Sequence, residues 1–160
     1  MPITLALLIF WFFLGGVVAW ATGRLGKDVP RWVSLITLLI HMIALIVLWM
    51  QFLRTGGAPL GQRWYLQFNV PWIPQWGISF YLALDGVSLL LILLSNFLGI
   101  MAVVASWSGI QYRIGFFHFN LLWILASIMG IFLAEDLFLF YFFWEMMLIP
   151  LYFLIGIWGH

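Results

Sequence analysis

The sequence predicts an all-α integral membrane protein with five transmembrane helices and a short, outward-facing β-hairpin between the second and third helices. Of its 160 residues, 66% are hydrophobic and 7% are charged, whereas a soluble domain carries about a quarter charged residues. The apolar residues also come in runs of about 20, the length at which a helix spans a bilayer. These observations exclude a sizeable soluble domain.

The composition also excludes several classes of function. The chain has no cysteine, which rules out disulfides, cysteine-held iron–sulfur clusters and thiol catalysis. Its net charge of +1 gives no indication of a nucleic-acid partner. The sequence contains no phosphate-binding loop, dinucleotide fingerprint or zinc-binding spacing. We therefore predict that this chain itself binds no redox cofactor and no metal.

The first two predicted spans cover residues 3–22 and 32–53. A polar turn separates them, and it carries Pro30 close to the start of the second helix. His41 falls near the middle of the second span. We interpret this histidine as a hydrogen-bonded packing residue rather than a proton carrier, because a single histidine at such a position more often packs than transfers protons.

The longest connection, residues 54–84, predicts a hairpin on the membrane surface. Apolar and polar residues alternate over 64–70 and again over 78–82, the pattern of half-buried strands. Pro71 and Pro74 fall between the two runs, so we expect them in the connection between the paired strands.

The third span is predicted over residues 87–107, directly after Asp85. An aspartate at this place is typical of a helix N-cap, which accepts a hydrogen bond from the first turn. We favour that interpretation over a role in proton transfer. Ser95 and Asn96 lie in mid-span, where we expect both to form hydrogen bonds to a neighbouring helix.

The fourth span is predicted over residues 115–134. His118 and Asn120 fall in its first turns, and we expect them to make capping or surface hydrogen bonds. Glu135 and Asp136 form a tight turn into the next span. Acidic residues there complement the positive end of the following helix dipole.

The fifth span, residues 137–158, carries a single charge, Glu145, in an otherwise apolar run. An acid near the bilayer centre costs at least about 2.5–3.5 kcal/mol to insert, so such residues usually face protein or water. Pro150 has no N–H and leaves the carbonyl of Met146 without its helical partner. We therefore predict a proton-handling point at Glu145, with Met146 and Pro150 in support. The alternative is a neutral acid that is buried between helices.

The distribution of Lys and Arg predicts the topology. The positive-inside rule places the more basic turns in the cytoplasm, so we expect the N-terminus and the hairpin outside and the C-terminal end inside. The chain ends without a polar tail, and we expect a working unit larger than these residues. The turns predicted inside hold Arg24, Lys27, Arg31 and Arg113, and the opposite side holds Arg54 and Arg63.

Three long runs carry a resemblance to a known family. They are ALDGVSLLLILLSNFLGIMAVVASW from Ala83, FFHFNLLWIL from Phe116 and FFWEMMLIPLYFLI from Phe142. With PRWVSLIT and FNVPWIPQWGIS, they make nearly the whole chain similar to the N-terminal portion of the subunit M family of bacterial NADH–quinone oxidoreductase, respiratory complex I. That family is one of the antiporter-like membrane subunits. One departure is Glu135, where the family pattern has a single acid in the turn.

The resemblance implies that Glu145 is the essential glutamate of the fifth helix. It would pair with a lysine on a later helix, outside this chain, and help to couple quinone reduction to proton movement. The NADH, FMN, iron–sulfur and quinone sites would belong to other subunits. The implied partners are other membrane-arm subunits, neighbouring antiporter-like subunits among them, in the lipid bilayer of the bacterial inner membrane.

Two other classes of function stay open on the sequence. One is a subunit of a multisubunit cation/proton antiporter or of a membrane-bound hydrogenase, in which the same glutamate would serve. The other is a non-catalytic membrane scaffold, in which Glu145 would only fix the register of its helix.

Overall fold

Each of the apolar runs forms a helix in the computed structural model, which describes residues 3–59 and 61–159. These residues form five long helices, with a two-stranded hairpin between the second and third helices in the chain. This confirms the predicted fold class. All five helices are long and apolar enough to cross a membrane. Met1, Pro2, Leu60 and the final residue, His160, lie outside the described residues. The elements are α1 (Thr4–Thr22), α2 (Val29–Thr55), β1 (Leu66–Ile73), β2 (Ile78–Leu84), α3 (Gly86–Gly109), α4 (Ile114–Leu133) and α5 (Leu137–Trp158).

Helix α4 lies at the centre of the helical bundle. It packs against α1, α3 and α5, while α2 lies against α1 and α3. Small residues let these neighbours approach closely: Ala126 is fully buried, and a side chain at Gly130 would overlap the ring of Phe143 in α5. Because α4 is surrounded, polar residues on it are removed from the surface.

The hairpin pairs β1 and β2 antiparallel, with Leu66 opposite Leu84. The prediction that Pro71 lies in the connection is wrong, because Pro71 is inside β1 and pairs with Ser79, next to an irregularity in the register. Proline is tolerated there because an edge strand does not need every N–H for pairing. Pro74 does lie in the connection, where it opens a short 3₁₀ helix, Pro74–Trp76.

The second edge of β2 is covered by the turn between α4 and α5. The Glu135 N–H donates to the Tyr81 carbonyl at 2.9 Å, and Leu82 forms an antiparallel bridge with Ala134. This contact fixes the hairpin on one end of the bundle, which we call the hairpin end.

The opposite end of the bundle, the turn end, carries the turns at residues 23–28 and 110–113. Arg31, predicted as a turn residue, lies inside α2 and is buried. Its guanidinium donates to the Asp28 carboxylate at 2.6 Å and to the Ile110 carbonyl at 2.9 Å. One side chain therefore holds the two turns together.

Candidate functional site

Glu145 is the starting point for a functional site because of its position along α5. Of the five acidic residues in the sequence, it alone falls within a helix that the structure describes. α5 is 22 residues long and begins at Leu137, so Glu145 lies about 12 Å along the helix axis. That distance places its carboxyl well inside the apolar layer that the helix would span.

The carboxyl faces away from the helical bundle. α5 packs on α4 through Leu139, Phe143 and Pro150, which are its buried residues. Glu145 follows Phe143 by two positions, about 200° around the helix, and it is exposed in the structure. An exposed carboxylate at membrane depth needs another protein segment or water beside it.

Tyr141 is a neighbour of this carboxylate that the sequence analysis missed. Its hydroxyl, one helical turn earlier, interacts with the Glu145 carboxylate. The spacing of four residues places both side chains on one helix face, and this signal was present in the sequence.

Pro150 and Met146 lie where the sequence placed them. The helix continues through Pro150 to Trp158, and the missing N–H frees the carbonyl of Met146, next to Glu145. Pro150 is buried, and the Met146 side chain packs against the hydrophobic core.

An apolar cavity lies beside α5, and Phe142, Phe143 and Met146 are the α5 residues in its walls. It has a volume of about 530 Å³ and runs between α1, β2 and α5. Every lining side chain is apolar, so this cavity offers no hydrogen-bonding partners for a chain of water molecules.

His41 belongs to a separate polar contact in the interior of the bundle. Its Nδ1 lies 3.2 Å from the amide oxygen of Asn96 in α3, and its ring lies 4.2 Å from that of Phe12. Asn96 also donates to the Leu38 carbonyl of α2 at 3.1 Å, as predicted. Ser95 was wrongly predicted to do the same, because its hydroxyl donates to Leu91 in its own helix.

His118 and Asn120 contradict the prediction of capping or surface positions. Both are buried, at 1% and 2% exposure, because they lie on the central helix α4. Asn120 donates to the Phe116 carbonyl at 2.7 Å, within its own helix. His118 lies close enough to Arg31 to interact with its charge. Neither residue is brought near Glu145, which faces outward from α5.

Asp136 lies in the predicted turn, and the structure shows that it caps α5 and also binds the hairpin. Its carboxylate accepts from the N–H of Phe138 at 2.8 Å, of Leu139 at 3.3 Å and of Ser79 at 3.0 Å. These N–H groups, the one of Ser79 above all, hold the pKa of the Asp136 carboxyl below its usual value. Asp136 thereby fixes the start of the helix that carries Glu145.

The remaining acids at the hairpin end have structural surroundings. Asp85 accepts from the Ser88 N–H at 2.7 Å, which confirms it as the N-cap of α3. Partial burial raises the pKa of the Glu135 carboxyl, and the positive charge of Arg63 opposes that rise.

Comparison with known proteins identifies relatives of this chain. Residues 134–160 match the family model described as NADH:quinone oxidoreductase/Mrp antiporter, TM. NADH-quinone oxidoreductase subunit M of Escherichia coli (strain K12) is 50% identical over 153 residues, which are 92% of this chain and 29% of the relative. The protein of the same name from Pseudomonas aeruginosa is 50% identical over 150 residues, or 92% of this chain and 30% of that protein.

A solved structure shows the same fold. A chain of the membrane-bound sulfane sulfur reductase, an archaeal respiratory membrane complex, superposes with a TM-score of 0.73 at 21% identity, over 92% of this chain and 22% of the other. The chain spans about three tenths of the length of the curated relatives it matches. The comparisons confirm the predicted resemblance: over most of its length, this membrane protein is similar to NADH-quinone oxidoreductase subunit M.

Proposed function

We propose that this chain is part of a proton-translocating membrane-arm subunit of NADH–quinone oxidoreductase in a bacterial inner membrane. The observation that carries the proposal is the position of Glu145, the acid that lies within a described helix. The chain around it is 50% identical to subunit M of Escherichia coli over 92% of its length. Glu145 is the residue that takes up and releases the proton.

The mechanism is electrostatic. The charge on a carboxyl in an apolar layer depends on its hydration and on the distance to the nearest cation. The resemblance to the subunit M family implies that this cation is a lysine from a segment outside this chain. The exposed face of α5 supports this arrangement, because Glu145 and Tyr141 both lie away from the packed face and are open to such a segment. A lysine that approaches favours the carboxylate, and one that withdraws favours proton uptake.

Partners and cofactors follow from the same proposal. The NADH, FMN, iron–sulfur and quinone sites lie in other subunits, and the chain contacts further membrane-arm subunits, neighbouring antiporter-like subunits among them. The N-terminus and the hairpin end face outward, since the basic turns at the turn end favour the cytoplasm.

The test is Glu145→Gln in the complete complex. Glutamine keeps the size and hydrogen bonding of the side chain but carries no charge, so NADH-driven proton pumping should fall about tenfold or more while assembly is retained. Glu145→Asp should be milder, because the carboxyl remains. The readout is acidification in reconstituted vesicles, normalised to the amount of assembled complex.

Asp85→Ala is the matched control. It removes an acid that caps α3, which should cost about 0.5–2 kcal/mol of local stability and leave pumping by assembled complexes unchanged. If complexes with Glu145→Gln pump at the wild-type rate, Glu145 has only a structural role and α5 belongs to a scaffold.

A second candidate function is a subunit of a multisubunit cation/proton antiporter. The family model includes Mrp antiporters in its description, and its match covers the segment that holds Glu145. The relatives at 50% identity favour the oxidoreductase. The neighbouring reading frames discriminate between the two, since an oxidoreductase subunit is expected beside NADH-module and quinone-module subunits.

A further inference from the structure

A polar cavity at the turn end lies far along the chain from Glu145 and has no role in the function proposed above. It has a volume of about 420 Å³ and opens between the end of α1 and the start of α4. This volume falls in the range of small-molecule sites. The walls bring together Trp20 of α1 and Arg24 of the turn that follows it with Arg113 of the second turn and Phe116 of α4.

Two glycines create the floor of this cavity. A Cβ at Gly115 would lie 3.0 Å from the Gly23 Cα and 3.0 Å from the Ala19 carbonyl oxygen. The backbones of α1 and α4 therefore touch at this point. Trp20 and Phe116 also line the cavity, and their rings are in contact, with centroids 6.5 Å apart.

The cavity concentrates positive charge without a carboxylate partner. Across residues 3–59 and 61–159, the side-chain ion pair is the one between Arg31 and Asp28. Neither Arg24 nor Arg113 takes part in it. Arg113 is also held with φ 49°, in the left-handed region, which non-glycine residues rarely adopt. This conformation places the arginine at the rim, directly before α4.

Buried backbone donors add to this charge. The Phe117 N–H donates to the Arg113 carbonyl, so the N–H groups of Ile114, Gly115 and Phe116 precede the helical hydrogen bonds of α4. Ile114 and Gly115 are buried, and buried N–H groups in proteins are nearly always paired with an acceptor. The lining of the cavity includes all three residues.

We propose that this cavity binds the phosphate group of an anionic glycerophospholipid. Two guanidinium groups and free N–H donors match a phosphodiester, which arginine recognises through paired hydrogen bonds. The source is a lipid rather than a free anion because the cavity lies where transmembrane helices end, beside Trp20, a residue type enriched at the membrane interface. The acyl chains extend along the exposed apolar face of α1, which carries Leu14, Val17 and Val18. The site requires only that the turn end meets a membrane surface, so it is independent of proton transfer at Glu145.

The experiment uses the full-length protein in proteoliposomes that contain a photo-crosslinking phosphatidylglycerol. Peptide mass spectrometry should find the crosslink on the segments 20–24 and 113–116. Arg24→Gln with Arg113→Gln should reduce it about 25-fold, at about fivefold per arginine near a membrane surface. Arg63→Gln, which removes a charge at the hairpin end, should leave this crosslink unchanged.

Competition on the unaltered protein identifies the source of the phosphate. Excess phosphatidylglycerol should suppress the crosslink, while phosphatidylcholine and inorganic phosphate should not. Arg24→Lys with Arg113→Lys keeps both charges and should label more strongly than the glutamine pair. The proposal is overturned if the glutamine pair labels like the wild type, if phosphatidylcholine competes equally well, or if inorganic phosphate alone displaces the lipid.

Discussion

At the scale of single residues, Asp136 joins the start of α5 to the hairpin. Its carboxylate accepts N–H groups from the first turn of α5 and from Ser79, 57 positions away in the hairpin. A cap of this kind joins two elements, and its effect on stability depends on its charge. The stability of the hairpin end should therefore depend on pH.

Asp136→Ala should cost about 0.5–2 kcal/mol of unfolding free energy at neutral pH. Because the pKa of this carboxyl is lowered in the folded protein, its contribution is present above the unfolded-state pKa and is lost as the pH falls through the folded-state pKa. The difference from wild type should therefore shrink in acid. Thermal unfolding in detergent, measured from neutral pH down to about pH 3, checks this.

Glu135→Gln is the matched control for Asp136→Ala. The pKa of Glu135 is raised in the folded protein, so this carboxyl favours the fold when protonated and loses that contribution as the pH rises. Replacement of Glu135 by the neutral glutamine should cause no loss of unfolding free energy at neutral pH. A deficit in Asp136→Ala that stays constant down to about pH 3 would contradict the charged-cap account.

The contact between His41 and Asn96 gives a second prediction at this scale. Asn96→Ala leaves Nδ1 of His41 without its partner and should cost about 1–2 kcal/mol. Ser95→Ala, at the neighbouring half-buried position, removes a bond within one helix and should stay within about 0.5 kcal/mol of wild type. Equal unfolding temperatures for the two variants would show that the buried hydrogen bond contributes nothing.

At the scale of elements, the junction of α4 and α5 decides where Glu145 points. Phe143 lies over Gly130, where any side chain would overlap its ring. This contact turns one face of α5 onto α4 and leaves Glu145 on the other. Because α5 is apolar nearly all round, its sequence did not indicate which face would pack.

Gly130→Ala should therefore destabilise the protein by about 1–3 kcal/mol, since the helices must separate or the ring must move. The combination with Phe143→Leu should recover part of the loss, because the two sites are in contact and their effects are not additive. Gly156→Ala is the control within α5, where open space surrounds the glycine and alanine improves helix propensity. Additive losses in the double variant would argue against this contact.

The elements also show what the sequence could and could not predict. The helices, the hairpin and the cap at Asp85 depend on local patterns, and all were predicted. The burial of His118 and the contact from Arg31 to Ile110, 79 positions apart, depend on which helices become neighbours. No local pattern contains that information, so these polar residues were assigned to the surface. The outward direction of Glu145 was missed for the same reason.

At the scale of the whole molecule, the two ends of the bundle differ in charge. Arg31 ties together the two turns that also carry Arg24, Lys27 and Arg113, so four cations share the turn end. The hairpin end has Arg54 and Arg63 together with three acids, Asp85, Glu135 and Asp136. This asymmetry supports the prediction that the hairpin end faces outward.

Cysteine labelling tests that orientation directly, because the chain has no cysteine of its own. Gln62→Cys at the hairpin end and Gln111→Cys at the turn end both place a thiol at an exposed position. In intact cells an impermeant maleimide should label Gln62→Cys, and it should label Gln111→Cys only after the membrane is opened. The reverse pattern would invert the topology.

The bond between the hairpin and the α4–α5 turn also imposes an order in time on synthesis. A ribosome delivers β2 before α3 and α4, so Tyr81 and Leu82 are synthesised before their partners Ala134 and Glu135. During that interval one edge of β2 has no strand-like partner and is open to other chains. The contact between β2 and the α4–α5 turn forms only after α4 has been synthesised. A chain that lacks α4 therefore leaves this edge of β2 without the contact that covers it in the complete bundle.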